Sequence, residues 1–197
     1  MTIAGPGRMA RWLLCLSLLL AGGPLWASRV PITVGAEWQE QFLVSWAELE
    51  LDATPEIAFA VLTDYARQPE FLPGMRSARI VSRRGTTVVV EQEIEESVLM
   101  FRQRLQVTME VVETAPRQMS LRLLEGSFHF YEGFYALLPV SAGSSPARTR
   151  VNYRARFEPD FDLPRMMGPF IVKRSLEKNL RAFAAEVERR VAAATAR

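Results

Sequence analysis

Between residues 101 and 113, Phe101, Leu105, Val107, Met109 and Val111 alternate with Arg102, Arg104, Gln106, Thr108 and Glu110. A period of two is that of a strand with one covered face and one wet face. The same alternation returns near the end of the sheet-like region, where Val151, Tyr153, Ala155 and Phe157 oppose Arg150, Asn152, Arg154 and Arg156. Strands are predicted over 41–51, 75–84, 86–95, 101–113, 119–124, 128–140 and 148–158, with turns at Gly85, Ala115-Pro116-Arg117 and Gly126 and an exposed loop at 141–146. Residues 28–40 carry no clear period and read as a lead-in.

Two stretches break the period. Thr54-Pro55-Glu56 opens a helix, with Thr54 as cap, Pro55 where its missing N–H costs nothing and Glu56 at the positive end of the dipole. Ile57, Phe59, Ala60, Val61 and Leu62 supply its covered side, and a second helical turn around Gln68-Pro69-Glu70-Phe71-Leu72 stops at Pro73-Gly74. At the other end, Gly168-Pro169 interrupts a helical region, and a long amphipathic helix runs from Phe170 to about Ala194. Its apolar stripe is Leu176, Leu180, Phe183, Ala184, Val187 and Val191, while Glu177–Arg181 and Glu186–Arg190 are i, i+4 pairs assigned to its wet side. The order is one strand, two short helices, six strands and one long helix. This is an α+β domain with an antiparallel sheet of about seven strands. Only the C-terminal helix is long enough to cover the apolar face, so the sheet is expected to curve around it. A space left between the two would suit an apolar ligand.

Composition adds one domain and an address. A chain of 197 residues, 49 % hydrophobic and 23 % charged, is an ordinary globular protein, and the folded unit is placed at 41–195. Residues 1–27 stand apart: Arg8 and Arg11 precede the apolar run 12–21, then come Gly22-Gly23-Pro24 and Leu25-Trp26-Ala27. That is the layout of a secretory signal, with a run shorter than the ~20 residues of a membrane span. Export to the periplasm is therefore expected. Leu25 matches a cleavage site poorly, which keeps an uncleaved N-terminal anchor as the alternative. Setting this segment aside removes Arg8, Arg11 and Cys15 and no acidic residue, so 24 basic residues become 22 against 22 acidic. The remaining chain is neutral and cysteine-free, which excludes a disulfide, a thiolate nucleophile and a Cys-ligated zinc site. Its arginines are spread along strands among glutamates, with no basic cluster to meet nucleic acid.

The stretch Thr63-Asp64-Tyr65-Ala66-Arg67-Gln68-Pro69-Glu70-Phe71-Leu72-Pro73-Gly74-Met75, placed after a strand and a Thr-Pro-Glu helix start, resembles the signature of the polyketide cyclase and coenzyme Q-binding branch of the START-like (SRPBCC, helix-grip) superfamily. The element order over 41–195 is similar too. The resemblance implies a helix-grip fold that binds or carries a lipid or other hydrophobic molecule. It brings a quinone or isoprenoid into view as ligand, although no residue selects one, and allows transient membrane contact. Residue by residue, the motif reads as structural. Asp64 caps or bonds loop amides, Tyr65 and Phe71 fill the gap between helix and sheet, and Pro69, Pro73 and Gly74 fix two turns.

Candidate chemistry is sparse, and no catalytic residue, metal or cofactor is assigned. His129 is the only histidine, so no two-His metal motif can be built; flanked by Phe128 and Phe130, it reads as a surface or partly packed residue in preference to a general base. In the series Phe128, Phe130, Glu132, Phe134, Ala136 and Leu138, strict alternation points the Glu132 carboxylate into the apolar side, where it could orient a ligand with Tyr131 or Tyr135 and a neighbouring arginine. Alternatively, Gly133 marks a bulge that turns Glu132 outward. Phe130, Phe134 and Tyr153 join these as ligand-binding candidates. Met166, Met167 and Phe170, at the Gly168-Pro169 break, form a gate to the cavity or simply pack the helix start. The leading expectation is an exported domain that holds or carries a hydrophobic molecule unchanged. The alternatives are a cyclase, aromatase or dehydratase acting on a polyketide-like substrate, and a cavity-poor interaction module of the cell envelope.

Overall fold

The computed structural model describes residues 30–98, 101–140 and 147–196, with the backbone alone at 97, 98, 101 and 102. The expected signal segment and the 141–146 loop lie outside the described residues. The elements are β1 (Ile32–Gln39), β2 (Phe42–Leu51), α1 (Pro55–Leu62), a 3-10 turn (Tyr65–Arg67), α2 (Gln68–Phe71), β3 (Met75–Arg84), β4 (Thr87–Val98), β5 (Phe101–Thr114), β6 (Gln118–Gly126), β7 (Phe128–Pro139), β8 (Thr149–Pro159) and α3 (Gly168–Thr195). The strands form one antiparallel sheet in the order β1-β2-β8-β7-β6-β5-β4-β3. The sheet curves around α3, as a helix-grip fold requires. Its inner rows hold the core: Leu43, Leu49 and Leu51 on β2, Val88 and Val90 on β4, Leu137 on β7 and Val151 on β8 are all fully buried. Each such side chain contributes about 1.5–3 kcal/mol of burial.

The strand count is eight rather than about seven, because the expected lead-in contains β1. It pairs with β2 from Ile32↔Leu49 to Gln39↔Phe42. Its alternate residues Ile32, Val34, Ala36 and Trp38 pack on the core. On its other face the indole of Trp46 lies across Gly35, where any Cβ would meet the ring at 2.1 Å.

Helix starts follow their local chemistry. Thr54 caps α1 through a hydrogen bond that Oγ1 accepts from the Ile57 N–H at 3.5 Å, with Pro55 at the first helical position. Gly168-Pro169 begins α3 rather than interrupting it. Proline is tolerated there because the first-turn N–H groups have no intrahelical partner. Leu180, Phe183, Ala184 and Val187 are buried as the stripe predicts, with Leu176 and Val191 packed at its ends. Glu177 and Arg181 do pair on the wet side at 2.6 Å. Glu186 does not lie there: its side chain is only 6 % exposed. The reason is its position one residue before Val187, at the edge of the covered stripe, where arginines can neutralise it.

A second correction concerns β7. The register slips between Phe128 and Phe130, which leaves His129 as an extra, exposed residue in a bulge. A bulge reverses which face later residues occupy. Beyond it Tyr131, Gly133, Tyr135 and Leu137 point inward, and Phe130, Glu132, Phe134 and Leu138 point outward. Glu132 thus faces water, as the bulge alternative requires, but the slip lies at His129 and not at Gly133. Gly133 serves a different purpose: a Cβ there would sit 3.2 Å from the Tyr131 ring and 3.4 Å from Leu121.

The outer face is a lattice of ion pairs, including Arg122–Glu110 at 2.7 Å, Arg104–Glu93 at 3.2 Å, Arg150–Glu50 at 2.8 Å and Arg79–Glu91. Exposed pairs of this kind contribute little stability each. They absorb the arginines that would otherwise give the sheet a strong positive field.

Candidate functional site

Between the sheet, the α1–α2 pair and α3 lies a chamber of about 240 Å³. Val90, Met109, Met119 and Leu121 come to it from the strands, Leu62 and Phe71 from the helical pair, and Leu180 and Phe183 from α3. None of its lining residues is an aspartate, glutamate, histidine, lysine or arginine. Its polar groups are three side-chain amides, Tyr65 from the 3-10 turn and three further tyrosines.

These three further tyrosines form a cluster on β7 and β8. The Tyr131 and Tyr153 hydroxyls lie 3.0 Å apart, one donating to the other, and the Tyr135 and Tyr153 rings meet at 4.7 Å between centroids. Burial pushes all three hydroxyls above the ordinary tyrosine range, because an apolar chamber penalises a phenolate; the neighbouring Tyr153 adds to this for Tyr131 and Tyr135. They are neutral hydrogen-bonding groups, not bases. The amides line the opposite wall. Gln92 Nε2 donates to Gln68 Oε1 at 2.8 Å, and Gln68 Nε2 donates to the Leu62 carbonyl at 3.1 Å. This relay fastens β4 to the helical pair. The third amide, Asn179, projects from α3, and its Oδ1 atom is buried without a hydrogen-bond partner.

The motif residues brace this roof. The Tyr65 hydroxyl donates to Glu113 Oε1 at 2.8 Å, and Arg83 holds both oxygens of the same carboxylate at 2.8 and 3.2 Å. Asp64 makes no capping bond, contrary to expectation. It accepts from Arg190 of α3 at 2.7 Å, and Arg190 in turn donates to Glu186 at 2.8 Å. Phe71 packs on the core. Pro69 lies in the first turn of α2, and Pro73 leads into Gly74. Gly74 has a φ of +85° and its carbonyl accepts from Glu95 N at 2.8 Å.

Of the ligand-binding candidates, Tyr131, Tyr135 and Tyr153 line the chamber. Phe130, Glu132 and Phe134 do not. Phe130 meets Phe42 edge-on at 5.4 Å, with the Arg156 guanidinium 3.6 Å above the Phe42 ring. Glu132 stands between Arg122 and Arg156 in the strand register. Met166 and Phe170 are 97 % and 58 % exposed, Met167 is half-buried in the turn before α3, and none of the three lines the chamber. The reversed phase of β7 moved the first group out, and the start of α3 at Gly168 left the second outside. Gln68, Gln92 and Asn179 escape the sequence pattern, although Asn179 carries a readable signal: a polar residue three after Leu176 and four before Phe183, inside the apolar stripe.

A family model described as polyketide cyclase / dehydrase and lipid transport matches residues 51–184. The chain belongs to that family. No curated relative matches the sequence. Among solved structures, a START superfamily protein from Mycobacterium smegmatis is 18 % identical with a TM-score of 0.63, covering 74 % of this chain and 97 % of its own. The Zhui aromatase/cyclase from Streptomyces sp. R1128 is 17 % identical with a TM-score of 0.62, covering 76 % and 96 %. A STAR-related lipid transfer protein fragment from Xanthomonas axonopodis is 13 % identical with a TM-score of 0.62, covering 80 % and 93 %. At these identities the likeness is one of fold.

Proposed function

We propose that this protein is an exported binding protein, resident in the periplasm, that holds or carries a hydrophobic small molecule in the chamber between sheet and α3. The observation that carries the reading is an apolar chamber that the protein's own side chains leave unfilled, with a few convergent polar groups and no ionised one. The lipid transport in the family's description and the lipid transfer named for the Xanthomonas structure support it. The basic, apolar and breaker segments of residues 1–27 support export.

A second reading is a cyclase, aromatase or dehydratase, favoured by the fold shared with the Streptomyces aromatase/cyclase. Such chemistry needs a group that exchanges a proton near neutral pH. The chamber's tyrosines are held away from that range by burial, which weighs against this reading.

The test is to express the full chain, recover it from the periplasmic fraction, and combine native mass spectrometry with solvent extraction. The expected result is a protein lacking its first residues that carries one apolar molecule. An empty protein that turns over a cyclisable poly-β-ketone analogue would favour the enzyme, and retention in the cytoplasm would refute export.

A further inference from the structure

We propose that the start of α3 is a docking surface for a bilayer containing anionic phospholipid: Met166 and Phe170 enter the membrane, and Lys173, Arg174 and Lys178 meet its phosphates. The surface lies outside the chamber, so its role stands or falls independently of what the chamber holds.

Met166, Phe170, Arg174 and Lys178 follow one another at intervals of four. The turn before α3 carries the helical spiral back to Met166: the Met167 and Gly168 N–H groups donate to the Pro164 carbonyl at 2.9 Å, and the Ile171 N–H donates to the Met167 carbonyl at 2.9 Å. Side chains four apart share one face of a helix, and all four of these are exposed. Met166 and Phe170 are the two most exposed large hydrophobic side chains among the described residues. The tip that carries them is braced. The Arg165 guanidinium lies 5.1 Å from the centre of the Trp38 ring and donates to the Glu40 carbonyl, and Trp38 Nε1 donates to the Arg165 carbonyl at 2.8 Å. Two neighbouring apolar side chains held out from a fixed tip add nothing to the core, and such exposure marks a contact with something outside the protein.

Charge identifies the partner. Arginines of the outer sheet face such as Arg122 and Arg150 are held by glutamates, whereas the side chains of Lys173, Arg174 and Lys178 make no ion pair or hydrogen bond among the described residues. Both lysines of the chain are in this group. No acidic residue occurs from 163 to 176, and Asp160 and Asp162 lie on the β8 side of Pro164. Two carboxylates beside this part of α3 are already engaged: Glu177 by Arg181 at 2.6 Å, and Glu96 by the Ser175 hydroxyl, which donates to it at 2.7 Å. At a helical rise of ~1.5 Å per residue, Arg174 stands roughly 6 Å and Lys178 roughly 12 Å along the axis from Phe170. The head-group layer of one leaflet is roughly 5–8 Å deep. A tip inserted as far as Phe170 therefore brings Lys173 and Arg174 to the phosphates, and the long stem of Lys178 reaches back to them. An apolar tip with cations behind it matches hydrocarbon under a layer of negative charge. No helix among the described residues is long and apolar enough to cross a membrane, so the contact of these elements is peripheral.

Co-sedimentation with vesicles tests the docking. The wild type is compared with Met166→Ser/Phe170→Ser, with Arg174→Gln/Lys178→Gln, and with Arg154→Gln, which removes an exposed arginine of β8 that also lacks an ion pair. The full chain is used throughout, so residues 1–27 weigh equally on every protein compared. The vesicles are equal parts phosphatidylglycerol and phosphatidylcholine, or phosphatidylcholine alone. On the mixed vesicles at low salt, Arg174→Gln/Lys178→Gln should partition roughly twenty- to thirtyfold less than wild type, about fivefold for each cation. Met166→Ser/Phe170→Ser should lose about tenfold or more, and Arg154→Gln should stay within about twofold. The wild type and Arg174→Gln/Lys178→Gln should converge on phosphatidylcholine alone, and also at about 1 M salt, where the Debye length is only about 3 Å. Failure of the wild type to bind the mixed vesicles overturns the docking and leaves the patch to a protein partner. Undiminished binding by either double variant places the contact elsewhere, and an equal loss in Arg154→Gln makes it a matter of net charge rather than of this surface. Wild-type binding that is insensitive to both salt and lipid charge overturns the role of the cations, even if a variant does not fold.

Discussion

Replacing Glu186 by Gln tests the clasp that holds the chamber's roof to α3. The Glu186 carboxylate is nearly buried and accepts from Arg189 at 2.7 Å and from Arg190 at 2.8 Å, while Arg190 also reaches Asp64 at 2.7 Å. The two arginines, Arg189 first, hold its carboxyl at about 2 against an ordinary 4.5, with burial opposing them. That difference corresponds to about 3 kcal/mol in favour of the charged folded form. Arg189 is 58 % exposed, so solvent screens its share and about 1–2 kcal/mol is the working figure. Glu186→Gln should therefore lower Tm at pH 7 by about 2–8 °C, at roughly 2–4 °C per kcal/mol for a domain of this size. Because the folded-state value is depressed, the contribution is complete above about pH 5 and is lost as pH falls from 4.5 towards 2. Thermal melts of both proteins from pH 7 to pH 3 give the assay. The gap between them should narrow below pH 4.5. Equal midpoints at pH 7, or a gap that stays constant down to pH 3, would refute the clasp.

Other substitutions probe separate links. Gly74→Ala meets both a φ of +85° and a Cβ position 2.7 Å from the Glu95 carbonyl oxygen, so thermal melts should show a loss of about 1–3 kcal/mol; a neutral result would contradict the turn geometry. Tyr65→Phe removes a hydrogen bond to a carboxylate that Arg83 still holds, and should cost about 1–2 kcal/mol by urea denaturation; no loss would mean that this bond contributes nothing. Glu132→Gln alters only the outer face, and affinity for an apolar probe of the chamber such as 1-naphthol should stay within about twofold of wild type, whereas a tenfold loss would place the carboxylate back in the chamber.

Most of the architecture is legible in the alternation of side chains, because a sheet with one covered face leaves a period that few other structures mimic. The exceptions have identifiable causes. β1 does alternate, with Ile32, Val34, Ala36 and Trp38 on one side, but Gly35 and Ala36 are weak strand formers and blur it. Strict alternation through β7 fails at a single extra residue, His129, and that one slip exchanges Glu132 and Phe134 for Tyr131 and Tyr135 at the chamber wall. The methionines before α3 look like a gate only while Gly168-Pro169 is read as a break; as a helix start, it leaves Met166 facing solvent and Met167 half-buried in the preceding turn. Contacts between residues far apart in the chain leave no local mark. Arg190 on α3 reaches Asp64 across 126 positions, and nothing near either residue announces it. Asn179 was readable in principle, since its spacing places an amide on an apolar stripe.

Occupancy of the chamber is tested most directly by native mass spectrometry of the wild type and of Ile94→Trp, a variant that fills the chamber from β4. The wild type should retain one apolar molecule, and Ile94→Trp, shown by circular dichroism to be folded, should retain none. A folded Ile94→Trp protein with undiminished occupancy would place the molecule elsewhere and contradict the chamber as the binding site.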